Sequence, residues 1–221
     1  AGQMARLVGL AQASKMYRNL PGLKGKEWQK FSKEGNEIAF GTIGDASTSE
    51  GVFWEAINAV GVLQLPMVMS VWDDGYGISV PKKYQTTKES ISKVLSGFQR
   101  TEEESGYEIL KAKAWDYNQL IATYEKAEQI AREEHVPVLV HVEEVTQPQG
   151  HSTSGSHERY KSKERLEWEV EYYCLAQLRK WILAKKISTE KQLDEIESEA
   201  LKSVTEAKRC YLCHYNFQID I

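Results

Sequence analysis

The residues best placed to do chemistry lie in two acidic turns. One is Ile43-Gly44-Asp45-Ala46-Ser47-Thr48-Ser49-Glu50-Gly51; the other is Trp72-Asp73-Asp74-Gly75-Tyr76-Gly77. Each follows a short apolar run that reads as a strand, and in open α/β sheets ligands bind beyond the carboxyl ends of strands. Asp45 and Asp74 are 29 positions apart. That is the length of one strand-helix-strand crossover, so the two are expected on adjacent strand ends. Two carboxylates with a backbone carbonyl suit a hard cation such as Mg2+, which combines carboxylates with phosphate oxygens. The small residues Ala46 to Ser49 lead into a helix whose free N–H groups favour a phosphate. The residues therefore allow a metal-bridged diphosphate site. They also allow, and on spacing alone favour, something plainer: Asp45 with Ser47 or Ser49 as a helix cap, and Asp74-Gly75 as a turn.

The elements around these turns follow from periodicity. Gln3 to Tyr17 carries Met4, Leu7, Val8, Leu10 and Ala11 at helical spacing, and Pro21, Gly22 and Gly25 break it. Ile38 to Ile43 reads as a buried strand, Ser49 to Leu63 as a helix, and Met67 to Trp72 as a second strand after Pro66. Tyr107 to Ala114 and Val136 to Val142 are further strands, with an amphipathic helix between them from Tyr117 to Glu133. Strands alternating with helices predict an α/β fold, a mostly parallel sheet with helices on both faces. Gln147 to Lys163 is polar, rich in Gly, Ser and His, and reads as a long loop. Lys163 to Leu183 and Thr189 to Arg209 read as two charged helices, after which the helical pattern is lost.

Composition narrows the function classes. With 221 residues, 41% hydrophobic, the chain suffices for one ordinary domain with a core. A net charge of −4 disfavours nucleic-acid and anionic-membrane partners. The longest apolar stretch, Val60 to Trp72, is interrupted by Gln64 and Pro66 and falls short of the roughly 20 residues a bilayer requires. Three cysteines make no disulfide framework, no signal peptide opens the chain, and a cytoplasmic location is expected.

The segment GDASTSEGVFWEAINAVGVLQLPMVMSVWDDGYGISVP resembles the thiamine-diphosphate motif of the 2-oxoacid dehydrogenases, which opens with Gly-Asp-Gly and closes with an Asn pair some thirty residues later. Downstream, QGHSTSGSHERYKS resembles the His-Ser loop of the same family. The resemblance runs from Gly2 to about Arg209 and takes in both motifs in the right order. The Gly-Tyr-Gly-Ile-Ser-Val-Pro and His-Ser-Thr-Ser wording is similar to the branched-chain enzymes more than to the pyruvate enzymes.

The resemblance implies a thiamine-diphosphate-binding fold and the alpha-subunit-like part of the decarboxylating component. That component performs oxidative decarboxylation of a 2-oxoacid, 2-oxoisovalerate-like here, with acyl transfer to a lipoyl acyltransferase. Residue by residue, Asp45 and Asp74 match the Mg2+ ligands, and Tyr76 matches the residue lending its backbone carbonyl. Gly44, Ala46 and Ser47 match the diphosphate-facing turn, and His151 matches the catalytic histidine at the phosphate end of the cofactor. Ser152 matches a serine that kinases modify in mitochondrial members, although nothing in this sequence indicates a kinase. A beta-type subunit or domain is implied as the source of the glutamate that activates the aminopyrimidine ring, so the chain alone is expected to be inactive. The assembly implied is a homo-oligomer or heterotetramer.

The sequence departs from the family in three ways. Ala46 replaces a glycine, which would cost about 1 kcal/mol if that position needed positive φ. Asp73-Asp74 replaces the Asn pair and adds negative charge beside a diphosphate. The family's upstream segment is expected to be missing, making the fold N-terminally incomplete. The expected organisation is a diphosphate domain over 1–162, a helical extension over 163–209 and an irregular tail over 210–221. Cys210-Tyr211-Leu212-Cys213-His214 fits a haem-attachment or zinc pattern, but no other feature supports either, and an incidental tail is favoured. The rival readings are an acetoin or pyruvate dehydrogenase component, and a truncated or degenerate subunit that oligomerises without binding cofactor.

Overall fold

The computed structural model of the protein describes residues 1–151 and 157–217, with side chains through 211. It forms two compact units, Ala1–Cys174 and Leu175–Ile221. The division falls between Cys174 and Leu175, so the first helix of the expected extension belongs with the sheet.

The first unit is built on a four-stranded parallel sheet of β1 (Ala39–Gly44), β2 (Met67–Trp72), β5 (Glu108–Lys113) and β6 (Val138–Glu143), in the order β1-β2-β6-β5. Their registers set Gly44 beside Trp72, Trp72 beside Val142, and Lys113 beside Glu143. All four carboxyl ends therefore lie along one edge. A two-stranded hairpin, β3 (Tyr76–Gly77) and β4 (Val80–Pro81), rises from that edge after β2.

Side-chain alternation along the central strands feeds two cores. Met67, Met69 and Val71 of β2 and Leu139 of β6 pack with Met4 and Ala11 of α1 (Met4–Asn19) and with Phe53, Ile57 and Val60 of α2 (Gly51–Leu63). Ile91 and Leu95, in and just after the short helix α3 (Ile91–Val94), close that side. Val68, Val138, Val140 and Val142 face the other way, onto Ala127, Leu120 and Tyr124 of α4 (Tyr117–Gln129). Apolar runs buried on both faces are what a parallel sheet needs, and helices do cover both faces. The edge strand β1 is only half-buried, with Phe40 51% exposed, because it has a hydrogen-bonded neighbour on one side alone.

Local chemistry sets the boundaries. α2 stops at Gln64, whose φ of 45° is left-handed, ahead of Pro66. α4 starts where Asp116 accepts a hydrogen bond from the Gln119 N–H. The buried Tyr107 hydroxyl donates to the Ile57 carbonyl at 2.7 Å, tying the start of β5 to α2. The helix expected over Lys163 to Leu183 is two: α5 (Lys163–Glu171) and α6 (Cys174–Ala184). The break is non-local in cause, since the Cys174 N–H donates to the Thr146 hydroxyl at 2.9 Å.

In the second unit Arg179 of α6 pairs with Glu190, Asp194 and Glu197 of α7 (Glu190–Phe217). The expected irregular tail is corrected here. The helix continues from Cys210 through Phe217, a stretch with no glycine or proline to stop it. No helix among the described residues is long and apolar enough to cross a membrane.

Candidate functional site

The loop after β1 begins as an extension of the ladder: the Asp45 N–H donates to the Trp72 carbonyl at 3.0 Å. The chain then turns, with Asp45 at φ −56° and ψ −44°, into a single 3-10 turn over Ala46–Ser49 before α2. The Asp45 carboxylate does not cap that turn. Its carbonyl is used instead, accepting from the Thr48 hydroxyl at 2.5 Å and the Thr48 N–H at 3.1 Å. One side-chain oxygen is left over: Asp45 is 6% exposed and its Oδ2 has no hydrogen-bond partner among the described residues. An unsatisfied buried carboxylate oxygen is costly and calls for an explanation. Burial first, then the charges of Asp73 and Asp74, push Asp45 up to about 7; the Ala46 N–H and Lys82 only partly oppose them.

The loop after β2 is stitched more tightly. The Asp73 N–H donates to Val142 and its carbonyl accepts from Val145, both at 2.9 Å. Its carboxylate accepts from the Gly75 N–H at 2.8 Å, from Lys82 Nζ at 2.7 Å and from His141 Nε2 at 3.0 Å. Burial works against the Asp73 charge, but hydrogen bonds from His141 and Lys82 and the charge they carry bring it down to about 2. Asp74 accepts from the Tyr76 N–H at 2.9 Å. Burial raises its carboxyl, and the Tyr76 N–H and the charges of Lys161 and Arg165 counter in part. Gly75, at φ +84°, makes the turn that lets both carboxylates point back at their own backbone.

Tyr76 is fixed from the far side. Its ring meets Tyr160 at 5.6 Å, and Lys161 Nζ and the Arg165 guanidinium lie over it at 5.3 and 5.8 Å. Asp45 and Asp74 thus follow the ends of adjacent strands, as their spacing predicts, and Tyr76 opens the hairpin after β2. The dehydrogenase E1 component family model matches residues 1–210 of this chain.

The chain belongs to the dehydrogenase E1 component family.

It is 28% identical over 172 residues to the pyruvate dehydrogenase E1 component subunit alpha of Rickettsia felis, covering 78% of this chain and 50% of that protein. It is 28% identical over 195 residues to the 2-oxoisovalerate dehydrogenase subunit alpha 2, mitochondrial, of Arabidopsis thaliana, covering 86% of this chain and 39% of that protein. This E1 chain thus spans about half or less of the length of these relatives.

The donor set of the E1 chain fits a diphosphate-bound cation. Among the described residues no three His, Cys, Asp or Glu side chains converge to hold a metal by themselves. Asp45 Oδ2, the Asp74 carboxylate and the Tyr76 carbonyl would supply three oxygens and leave about three of the roughly six positions of Mg2+ for phosphate and water. Ala46 lies in the 3-10 turn and outside the residues of positive φ, so the penalty feared for losing a glycine does not arise. At Gly44 an added Cβ would meet open space, and Ser47 follows in the same 3-10 turn.

His151 is exposed at the head of its loop. Ser152 lies outside the described residues. The return half of the loop has anchors that composition did not reveal. Lys161 is buried, with Nζ 2.8 and 2.7 Å from the two oxygens of the buried Glu169 and 3.2 Å from the Gln147 carbonyl. Arg165 donates to Glu169 at 2.8 Å and to the Asp74 carbonyl at 2.9 Å.

Sequence reasoning missed Lys82, His141 and the role of Asp73. His141 carried a signal, being the one ionisable residue inside the apolar run Val138–Val142. Buried between Ser92 Oγ at 2.9 Å and Asp73, it bridges the end of β6 to the acidic turn. Lys82 gave no signal, since its partner lies across a hairpin.

Proposed function

We propose that this E1 chain is the diphosphate-binding half of a thiamine-diphosphate site, in the alpha-subunit-like part of a 2-oxoacid dehydrogenase. The observation that carries this reading is the buried, unpartnered Oδ2 of Asp45, set beside Asp74 at the carboxyl edge of the sheet. Asp45, Asp74 and the Tyr76 carbonyl would hold Mg2+, which would supply positive charge for the diphosphate. Gly44, Ala46 and Ser47 would face the diphosphate, with the start of α2 adding the favourable end of a helix dipole.

When bound, thiamine diphosphate supplies the electron sink for decarboxylation and the carrier for the acyl group. The protein's share is binding and orientation. His151, exposed at the loop head, would hold or move a proton on its imidazole once brought to the site. The aminopyrimidine half belongs to a beta-type subunit or domain, and the acyl group passes to a lipoyl acyltransferase. The relatives named above are themselves alpha subunits, which supports this division of labour. Among 2-oxoacids we favour the branched-chain class, on the Gly77-Ile78-Ser79-Val80-Pro81 wording of the hairpin, in a cytoplasmic setting.

The test is reconstitution of the full chain with a beta-type partner, thiamine diphosphate, Mg2+ and an artificial electron acceptor, offering 2-oxoisovalerate or pyruvate. Turnover is expected only with the partner present and is expected to be faster with 2-oxoisovalerate. Turnover by the pure chain above a cofactor blank would remove the half-site reading, and a preference for pyruvate would reverse the substrate assignment.

A further inference from the structure

The acidic turns bring three carboxylates to one edge, yet they are not equivalent. Asp45 is buried with a free oxygen. Asp74 spends one oxygen on the Tyr76 N–H. Asp73 is used up: Oδ1 takes the Gly75 N–H, and Oδ2 takes both Lys82 Nζ and His141 Nε2. Lys82 also donates its backbone N–H to the Gly75 carbonyl at 2.9 Å, so its main chain and side chain close the same turn from both ends. Its charge acts on Asp45 as well as on Asp73.

We propose that Lys82 is a positioning residue that sets the charge of the cation site. By holding Asp73 away from the cation it leaves two carboxylates, Asp45 and Asp74, to face it. Two carboxylates balance one divalent ion and leave the diphosphate attractive to the site; three would over-bind the ion and repel the diphosphate. The arrangement compensates within the chain for the acid at position 73. This inference rests on the reading of Asp45 and Asp74 as cation ligands.

The geometry separates this role from simple scaffolding by the sign of its effect. A scaffold lysine, once removed, lowers every affinity of the site. A charge-setting lysine, once removed, leaves the Asp73 carboxylate held by the Gly75 N–H and His141 alone, its charge no longer offset by the ammonium, and raises the affinity for a free divalent ion. Lys82 is 32% exposed at its side chain, so water can reach the vacated position and take up part of the lost contact.

The experiment uses the full chain and Mn2+ as the probe, with free Mn2+ followed by electron paramagnetic resonance. The parent is compared with Lys82→Met, Asp73→Asn and the double variant. Folding is checked by circular dichroism and thermal melting. Lys82→Met is expected to bind Mn2+ alone several-fold more tightly, about 1 kcal/mol for fivefold, and to bind thiamine diphosphate more weakly at fixed Mn2+. Asp73→Asn leaves Lys82 unpaired beside the site, and Mn2+ binding is expected to weaken by a similar factor. The double variant is expected to return to the parent value.

If Lys82→Met does not fold, Asp73→Asn alone decides. Mn2+ bound by Asp73→Asn as tightly as by the parent, or Lys82→Met folded and binding no better, would overturn the proposal while leaving the cation site standing. No Mn2+ binding by the parent, with or without thiamine diphosphate, would overturn both.

Discussion

The Arg165 guanidinium donates to the Asp74 carbonyl at 2.9 Å, across 91 positions of chain. The contact ties the start of α5 to the turn that carries the second cation ligand. Arg165 is itself held by Glu169, which also takes the Lys161 ammonium between its two oxygens. Glu169 is 1% exposed, so removing its charge would strand a buried lysine. Glu169→Gln is therefore expected to destabilise the chain by about 3 kcal/mol, toward the lower end of what breaking a buried ion pair costs. Urea unfolding measures it. A loss under about 1 kcal/mol would show that the network adds little to holding α5 against the turn.

Asp74→Asn should keep an oxygen ligand while removing one negative charge from beside the diphosphate. Affinity for thiamine diphosphate at saturating Mg2+ is expected to hold or improve, while affinity for Mg2+ alone falls. A large loss of cofactor affinity in a folded Asp74→Asn chain would show that the ionised carboxylate at 74 is itself required.

Gly75 has φ +84°, and a Cβ there would meet nothing within 4 Å. Gly75→Ala therefore tests strain without a clash. The expected loss is about 1 kcal/mol, read as a shift in the urea midpoint. An unchanged midpoint would mean that the turn relaxes to another conformation without cost.

The loop offers a proteolytic test. Arg159 is exposed, whereas Lys161 is buried and paired with Glu169. Trypsin is expected to cut after Arg159 well before it cuts after Lys161, and thiamine diphosphate with Mg2+ should slow the cut at Arg159. Equal rates at proven cofactor saturation would show that the loop does not respond to the site.

The sheet was largely legible in the sequence because buried parallel strands and amphipathic helices write their periods directly into it, as in Val138–Val142 and Phe53, Ile57 and Val60. Asp45 and Asp74 were legible as neighbours because one crossover has a narrow length. What stayed hidden depends on contacts far apart in the chain. The α5–α6 break answers to Thr146. The loop anchors answer to Glu169 and Asp74. The fate of Asp73 answers to Lys82 and His141. Periodicity carries no record of such partners. The tail is helical although its amphipathic pattern fades, because no Gly or Pro follows Arg209 and α7 simply continues.

Asp45 is the decisive residue, since its buried Oδ2 has no hydrogen-bond partner among the described residues. Calorimetry of thiamine diphosphate binding to the full chain, with and without Mg2+, tests it most directly when repeated on Asp45→Ala. Binding in the parent is expected to require Mg2+ and to be lost in Asp45→Ala, with both chains folded. Binding that ignores Mg2+, or Asp45→Ala binding cofactor and metal as the parent does, would contradict it.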